Sequence, residues 1–294
     1  MRSLTANAPG KLNLFLHLGP TREDGYHELV SLFESVSLHD TLTLVPSDAD
    51  RVICAAVPGE NLVERALRTA REAGLFDGEP VEITIDKRVP VAAGMGGGSG
   101  DAAAALRLLA RLADRPLADF ERIAFMLGAD VPSQLVPGAA LVRGAGEHVD
   151  IVAPEVLAAA ERAYVIVEQR EGLSTADVFR QADRAGLPSP EIAGRDEEVA
   201  ERLTKPVSTE ELVAMVHNDL APAIEALRPE LAGLPGELRQ LGAIAAAFTG
   251  SGPTCFGMFG DLAAAENAAA TLRERGQLAT AATPVDAIFG EAST

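Results

Sequence analysis

Leucines alternate with other residues along 11–18. Leu12, Leu14, Leu16 and Leu18 fall on one face of a strand, and Lys11, Asn13, Phe15 and His17 on the other. Ala8-Pro9-Gly10 just before it predicts a turn that delivers Lys11 at the strand's start. Residues 19–28 are polar, with turn residues Pro20, Asp24 and Gly25, and strands are expected over 30–38 and 41–45. Leu62, Ala66, Leu67 and Ala70 recur at helical spacing between Asn61 and Gly74, and the alternating Val81, Ile83 and Ile85 predict a short strand. Ala102, Ala105, Leu106, Leu109 and Leu112 form one stripe, so a helix is expected from Ser99 to about Ala113. Another is expected over 117–127, stopping at Gly128, where glycine caps and Pro132 cannot continue.

A hairpin turning at Gly144-Ala145-Gly146 is expected over 139–151, and the apolar run 163–167 suits a central strand. Helical patterns follow over 174–185, 191–203, 208–217 and 219–240, then strands over 244–248 and 254–259. A helix over 261–275 and a strand near 278–285 complete the pattern. Strands and helices mix without strict alternation, which predicts an α+β fold rather than a doubly wound parallel sheet. A break between 150 and 160 divides the chain into comparable halves, 1–155 and 156–294.

Composition adds limits. With 294 residues the chain can bury a large core, and 47% hydrophobic with 23% charged residues is ordinary for a folded protein. The formal net charge of −18 argues against a nucleic-acid or anionic-membrane partner, since both need a basic face. An anionic ligand would therefore be held by local donors. Cys54 and Cys255 form no CxxC or Cys/His cluster and are expected as two buried free thiols. No apolar run reaches eighteen residues and no signal-peptide core follows Met1, so a cytoplasmic protein is expected.

The densest signal is Pro90 to Gly100, where Gly94, Gly96, Gly97, Gly98 and Gly100 crowd into seven residues directly before a helix. A glycine loop opening a helix exposes backbone N–H groups at the positive end of the helix dipole, an arrangement suited to a phosphate chain. No Gly-Lys-Ser/Thr follows, which excludes a Walker A loop, and the βαβ setting of a dinucleotide fingerprint is missing. Ser99 falls at the expected N-cap, where plain capping and a ligand contact both remain open. In isolation Lys11 reads as an ordinary strand-end lysine and Asp130 as a loop carboxylate. Tyr26 and His27 are more pointed, because an aromatic followed by histidine in a polar loop suits stacking on a nucleobase and bonding its edge. Thr249-Gly250-Ser251-Gly252-Pro253 is either a tight hairpin or a second small-residue wall around an anion.

Taken in order, Pro9-Gly10-Lys11-Leu12-Asn13-Leu14, Gly25-Tyr26-His27-Glu28-Leu29, the Gly94–Gly100 loop, Gly128-Ala129-Asp130-Val131-Pro132 and Gly250-Ser251-Gly252-Pro253 resemble the GHMP kinases, a family of small-molecule kinases. The matches run from residue 9 to 253. The resemblance implies an α+β, two-domain GHMP-kinase fold, with an N-terminal α/β nucleotide-binding half and a C-terminal ferredoxin-like half. It implies ATP as phosphoryl donor, its phosphates along Pro90, Val91, Ala92, Ala93, Gly94, Met95, Gly96, Gly97, Gly98, Ser99 and Gly100. It makes Lys11 and Asp130 the catalytic pair. The Gly-Tyr-His and Gly-Ala-Asp-Val-Pro segments resemble a member that phosphorylates a cytidine diphosphate conjugate in non-mevalonate isoprenoid precursor synthesis. On that resemblance Tyr26 and His27 hold the cytosine and Asn13 meets the polyol end. Thr175, Phe179, Gly250, Ser251 and Gly252 border the same substrate. Mg²⁺ would arrive on the nucleotide, with no protein ligand assigned to it. Partners would be these small molecules, not nucleic acid or membrane, and the protein a monomer or homodimer. The alternatives are a GHMP kinase acting on mevalonate, homoserine or a sugar, and a non-catalytic nucleotide sensor of the same fold. Two departures stand out: Gly100-Asp101 replaces the family's usual small non-glycine residue followed by Asn or Asp, and Ala92-Ala93 thins the glycine run.

Overall fold

Two long antiparallel strands, β1 (Leu4–Thr21) and β2 (His27–Pro46), form the spine of a computed structural model that describes residues 3–57 and 59–293. The expected turn at 8–10 is a register shift between Pro9 and Lys11 inside β1, so Lys11 lies in mid-strand. Proline lacks the ladder N–H and glycine tolerates irregularity, so a bulge and a turn share one sequence signature. The strands expected over 30–38 and 41–45 are likewise one strand. His39-Asp40 continues β2, because the Asp40 carboxylate is buried and accepts N–H bonds from Arg88 and Val89.

After β3 (Arg51–Ile53), helix α1 (Leu62–Glu72) opens with a capping box in which Asn61 accepts from the Glu64 N–H and Glu64 reaches back. Strand β4 (Val81–Asp86) leads into the glycine loop and α2 (Gly97–Ala113). Next come α3 (Glu121–Leu127) and α4 (Val131–Gln134). Pro132 falls in the first turn of α4, where its missing N–H costs nothing, so the helical pattern resumes where a stop was expected. The hairpin β5 (Ala139–Gly144) and β6 (His148–Val152) completes a seven-stranded sheet. Its main path is β3-β4-β2-β1 with one further short strand beyond β1, and β5 pairs with the start of β2. α1, α2 and α3 cover one face, burying Leu42, Leu44, Leu67, Ile83, Leu106 and Phe120.

The short α5 (Pro154–Leu157) precedes β7 (Ala163–Glu168), and helices α6 (Thr175–Arg184), α7 (Ile192–Arg202) and α8 (Thr209–Met215) follow. The helix expected over 208–217 stops at Met215, because His217–Asn218 pairs in parallel with Phe15 and Leu16 as β8, the strand beyond β1. The helix expected over 219–240 is two, α9 (Ala221–Leu227) and α10 (Leu234–Gln240), separated at Pro229. Strands β9 (Ala245–Phe248) and β10 (Cys255–Phe259), helix α11 (Leu262–Glu274) and β11 (Leu278–Ala282) complete the path. The second sheet has the antiparallel order β11-β7-β10-β9, the ferredoxin-like arrangement, so the fold is α+β as expected.

The two sheets share a core in which Leu12, Leu14 and Leu32 meet Tyr164, Ile166 and Met258, so β1 is buried on both faces. Glu34 of β2 reaches the other half, accepting from Arg162 Nε at 2.9 Å and from the Tyr164 hydroxyl. No described helix is long and apolar enough to cross a membrane.

Both thiols are free, but only Cys255 is fully buried; Cys54 is half-buried beside α1. Burial pushes the Cys255 thiol far up. The native protein should therefore react with one equivalent of a thiol reagent and the unfolded protein with two. Rapid modification of both native thiols would contradict this packing.

Candidate active site

The site begins with a charge that β1 carries indoors. Lys11 is only 4% exposed. Its Nζ donates to Asn13 Oδ1 at 2.6 Å and to the Gly94 carbonyl at 3.0 Å, and stands 3.7 Å from Asp130 Oδ2. The ammonium also lies 4.5 Å from the centre of the Phe33 ring. Burial pulls the Lys11 pKa below its ordinary value, and the Asp130 carboxylate opposes that fall. Asn13 is almost fully committed to this arrangement. Its Nδ2 donates to Ser31 Oγ at 2.8 Å, its Oδ1 also accepts from Thr249 Oγ1 at 3.1 Å, and its backbone N–H donates to that same hydroxyl.

The glycine loop comes up to this lysine in a conformation that L side chains resist. Gly94 has φ of 77°, and a Cβ there would lie 2.3 Å from the Thr249 carbonyl oxygen. Only glycine lets the loop and the 249–253 turn touch. Ala92 adopts φ of 54° without that freedom, so thinning the glycine run leaves one strained residue. Gly96, at φ of 65°, is the N-cap of α2, and no side chain caps the helix. The first intrahelical backbone bond at this end runs from Gly100 N–H to Gly96 O. The N–H groups of Gly97, Gly98 and Ser99 are thus left without helical partners at the cleft wall. Ser99 sits in the first turn, three residues after the cap it was expected to supply.

Asp130 is placed by α4, for which it is the N-cap residue. The far end of α4 is fixed by Arg107 of α2, whose buried guanidinium donates to the carbonyls of Gln134 (2.7 Å), Asn7 (2.6 Å) and Gly290 (2.8 Å). Burial among carbonyls, with no acidic partner among the described residues, lowers its pKa to about 10. Gln134 Nε2 in turn donates to Gly96 O at 3.1 Å. Under the first turn of α2, Lys87 joins two carboxylates, Asp40 Oδ2 at 2.5 Å and Asp101 Oδ2 at 2.8 Å. Burial first, then repulsion from Asp40, pushes Asp101 up to about 7 against the pull of Lys87. Arg107, Gln134 and the Asp40–Lys87–Asp101 group were missed in the sequence. The one signal available was a lysine in Asp86-Lys87-Arg88 immediately before the loop.

At the other end of the cleft, Tyr26 is 65% exposed in a loop braced by Arg22 and Asp24. His27 is buried. Its Nε2 pairs with Asp183 Oδ1 at 2.7 Å and Thr21 Oγ1 at 3.1 Å, and its ring centre lies 5.1 Å from that of Phe179. Asp183 and Phe179 are one helical turn apart on α6. Thr175, at the start of α6, bonds Ser251 Oγ at 3.0 Å.

One cleft of 1140 Å³ joins these groups. Lys11, Asn13, Tyr26, His27, Asp130, Thr175, Phe179, Gly250 and Ser251 border it, as do Pro90 to Gly94 and Gly96 to Ser99. Met95, Gly100 and Gly252 stand behind the wall. Met95 packs in the shared core, Gly100 gives room to Gln134 and Pro9, and Gly252 faces Ile224. The cleft can thus seat an anion on free N–H groups, set a carboxylate beside a buried cation, and grip a flat ring between aromatic groups.

The GHMP kinases N terminal domain family matches residues 61–138, and the GHMP kinases C terminal family matches 208–278. The chain is 38% identical over 281 residues to the 4-diphosphocytidyl-2-C-methyl-D-erythritol kinase of Rhizobium etli, covering 92% of this chain and 90% of that protein. It is 40% identical over 276 residues to the kinase of the same name from Kineococcus radiotolerans, covering 86% and 81%. A crystal structure of 4-(cytidine 5'-diphospho)-2C-methyl-D-erythritol kinase superposes with TM-score 0.76 at 32% identity, over 95% of this chain and 98% of that one. A homoserine kinase from Cytophaga hutchinsonii shares the fold, with TM-score 0.66 at 18% identity over 100% and 98%.

The loop geometry separates two substitutions. Gly94→Ala should cost more than about 2 kcal/mol in urea unfolding, because it meets both a positive φ and a carbonyl. Gly98→Ala, whose Cβ would meet only Leu62 Cδ1 at 3.9 Å, should be neutral or stabilising. Equal effects would refute the close approach.

Proposed function

Because the chain belongs to the GHMP kinases, and within them to the 4-diphosphocytidyl-2-C-methyl-D-erythritol kinases, we propose that it transfers the γ-phosphoryl group of ATP to the 2-hydroxyl of 4-diphosphocytidyl-2-C-methyl-D-erythritol. The products are the 2-phosphate and ADP. The observation that carries the reading is the Lys11–Asp130 pair, 3.7 Å apart, in the same cleft as the uncapped end of α2.

An alcohol is a poor nucleophile at neutral pH. In this proposal Asp130 accepts the hydroxyl proton as the oxygen attacks phosphorus in line with the departing ADP oxygen. Lys11 offsets the charge that develops on the attacking oxygen and the transferring group. The N–H groups of Gly97, Gly98 and Ser99 receive the phosphates, which arrive with Mg²⁺ as part of the substrate. Asn13 acts by orienting Lys11 and has one Nδ2 hydrogen left for the polyol. Tyr26, with Phe179 and His27, holds the cytosine, and Asp183 fixes which nitrogen of His27 faces it. That aromatic end favours this acceptor over mevalonate, homoserine or a free sugar, which offer no nucleobase to stack. We place the reaction in the cytoplasm and the division between halves at 155/156.

Purified protein given ATP, Mg²⁺ and each acceptor should release ADP with the cytidyl substrate and not with mevalonate or homoserine; the reverse preference would sink the assignment. Asp130→Asn should lower kcat about 10²–10⁴-fold with the ATP KM little changed. A near-normal rate would remove Asp130 as base. Tyr26→Ala should raise the acceptor KM about tenfold and spare kcat, as loss of one stacking partner does.

The working form of Lys11 is protonated, and its pKa lies below 10.5. Activity should therefore fall as pH rises through an alkaline limb lower than that of a free lysine. A rate that stays level up to pH 10.5 would contradict the role given to the ammonium.

A further inference from the structure

Outside the cleft, β8 brings a second cluster together. Pairing of Phe15 with His217 and of Leu16 with Asn218 lays His217 and Asp219 beside His17 of β1. His217 Nε2 is 2.6 Å from Asp219 Oδ1, and His17 Nδ1 is 3.7 Å from Asp219 Oδ2. The three ligand atoms all lie within 4.8 Å of one another, and none of these residues borders the cleft. Asp219 is anchored as well, since its Oδ2 accepts from the Leu18 N–H at 2.8 Å. A carboxylate set between two imidazoles has no role in the reaction above.

Two imidazole nitrogens and one carboxylate oxygen are a three-residue set suited to Zn²⁺, with its fourth position left to water. Ligands around zinc stand roughly 3.3 Å apart, so small side-chain rotations would bring these atoms into range. Mg²⁺ is a poor match, because it prefers oxygen ligands throughout. One group opposes a cation here: exposed Arg195 of α7 places Nη1 3.0 Å from His17 Nδ1 and must swing into solvent before that nitrogen can ligate.

We propose that His17, His217 and Asp219 form a binding site for Zn²⁺ that ties β8 to β1. The site lies next to Asn218, whose Nδ2 donates at 2.9 Å to the carbonyls of both Phe248 and Gly250. A metal there would brace the strand that holds the 249–253 turn in place.

Equilibrium dialysis of the untagged protein against Zn²⁺ alone tests this. The wild type should bind one equivalent more than His217→Ala, an exposed position whose loss leaves the fold intact, or bind it at least about tenfold more tightly. Arg195→Ala should bind several-fold more tightly than wild type, a sign opposite to any loss of structure. Zn²⁺ should raise the Tm of the wild type and not that of His217→Ala, and Mg²⁺ should do neither. Equal zinc uptake by wild type and His217→Ala would overturn the site, as would Arg195→Ala binding no more tightly. Because the readout is binding, the result is independent of whether the kinase assignment stands.

Discussion

A buried ammonium must find acceptors, and the three that Lys11 finds come from three separate parts of the chain. Asn13 lies on the same strand, Gly94 in the loop before α2, and Asp130 at the head of α4. An unpaired charge in such a place costs several kcal/mol, so each acceptor must be delivered to it. The Gly94 carbonyl is available because the loop bends through left-handed backbone that glycine tolerates. Asn13 is steadied by Ser31 and Thr249. Asp130 is steadied at one remove, through the contacts that fix α4. The placement of one nitrogen thus constrains β1, the loop, α4 and the 249–253 turn together.

The two halves meet beside that nitrogen, where Thr249 bonds Asn13. β1 is covered on one side by helices of its own half and on the other by the second sheet, so its polar Lys11 and Asn13 are buried too. Glu34, Arg162 and Tyr164 repeat this logic farther along, with a carboxylate from one sheet satisfied by donors from the other. β8 adds a two-residue strand from the later half to the edge of the first sheet. Asn218, within it, holds the carbonyls of Phe248, just before the 249–253 turn, and of Gly250 inside it, so the turn that touches the glycine loop is itself supported from β1.

Much of the architecture was legible in the sequence, because period-2 and period-3.6 patterns report burial on one face. The β4–α2 unit, the 139–151 hairpin and the second sheet follow their patterns closely. The reading failed where tertiary contacts replace local rules. Pro9-Gly10 looks like a turn and is a bulge, His39-Asp40 looks like a break and is continuous, and His217-Asn218 looks helical but is claimed by a distant strand. The segments that form the cleft were visible as a set through family resemblance, while the pieces that position them were not. Arg107 reads as one polar interruption in an apolar helix, and Lys87 as the end of a strand. Their partners lie between 14 and 183 residues away, beyond any window of periodicity.

Arg107 has a consequence for how the protein can vary. Among the described residues it has no acid to answer its charge, and it relies on carbonyl oxygens, one of which belongs to Gly290. That glycine has no room to grow: a Cβ would lie 2.6 Å from Pro137 Cγ and 3.2 Å from Arg107 itself. Ser293 then bridges Thr5 at the start of β1. The segment from Gly290 to Ser293 is therefore part of what holds α4 and the start of β1 in place. A substitution that displaces this segment would reach α4 through Arg107, so positions near Gly290 are bound to the same packing as a residue 183 positions earlier.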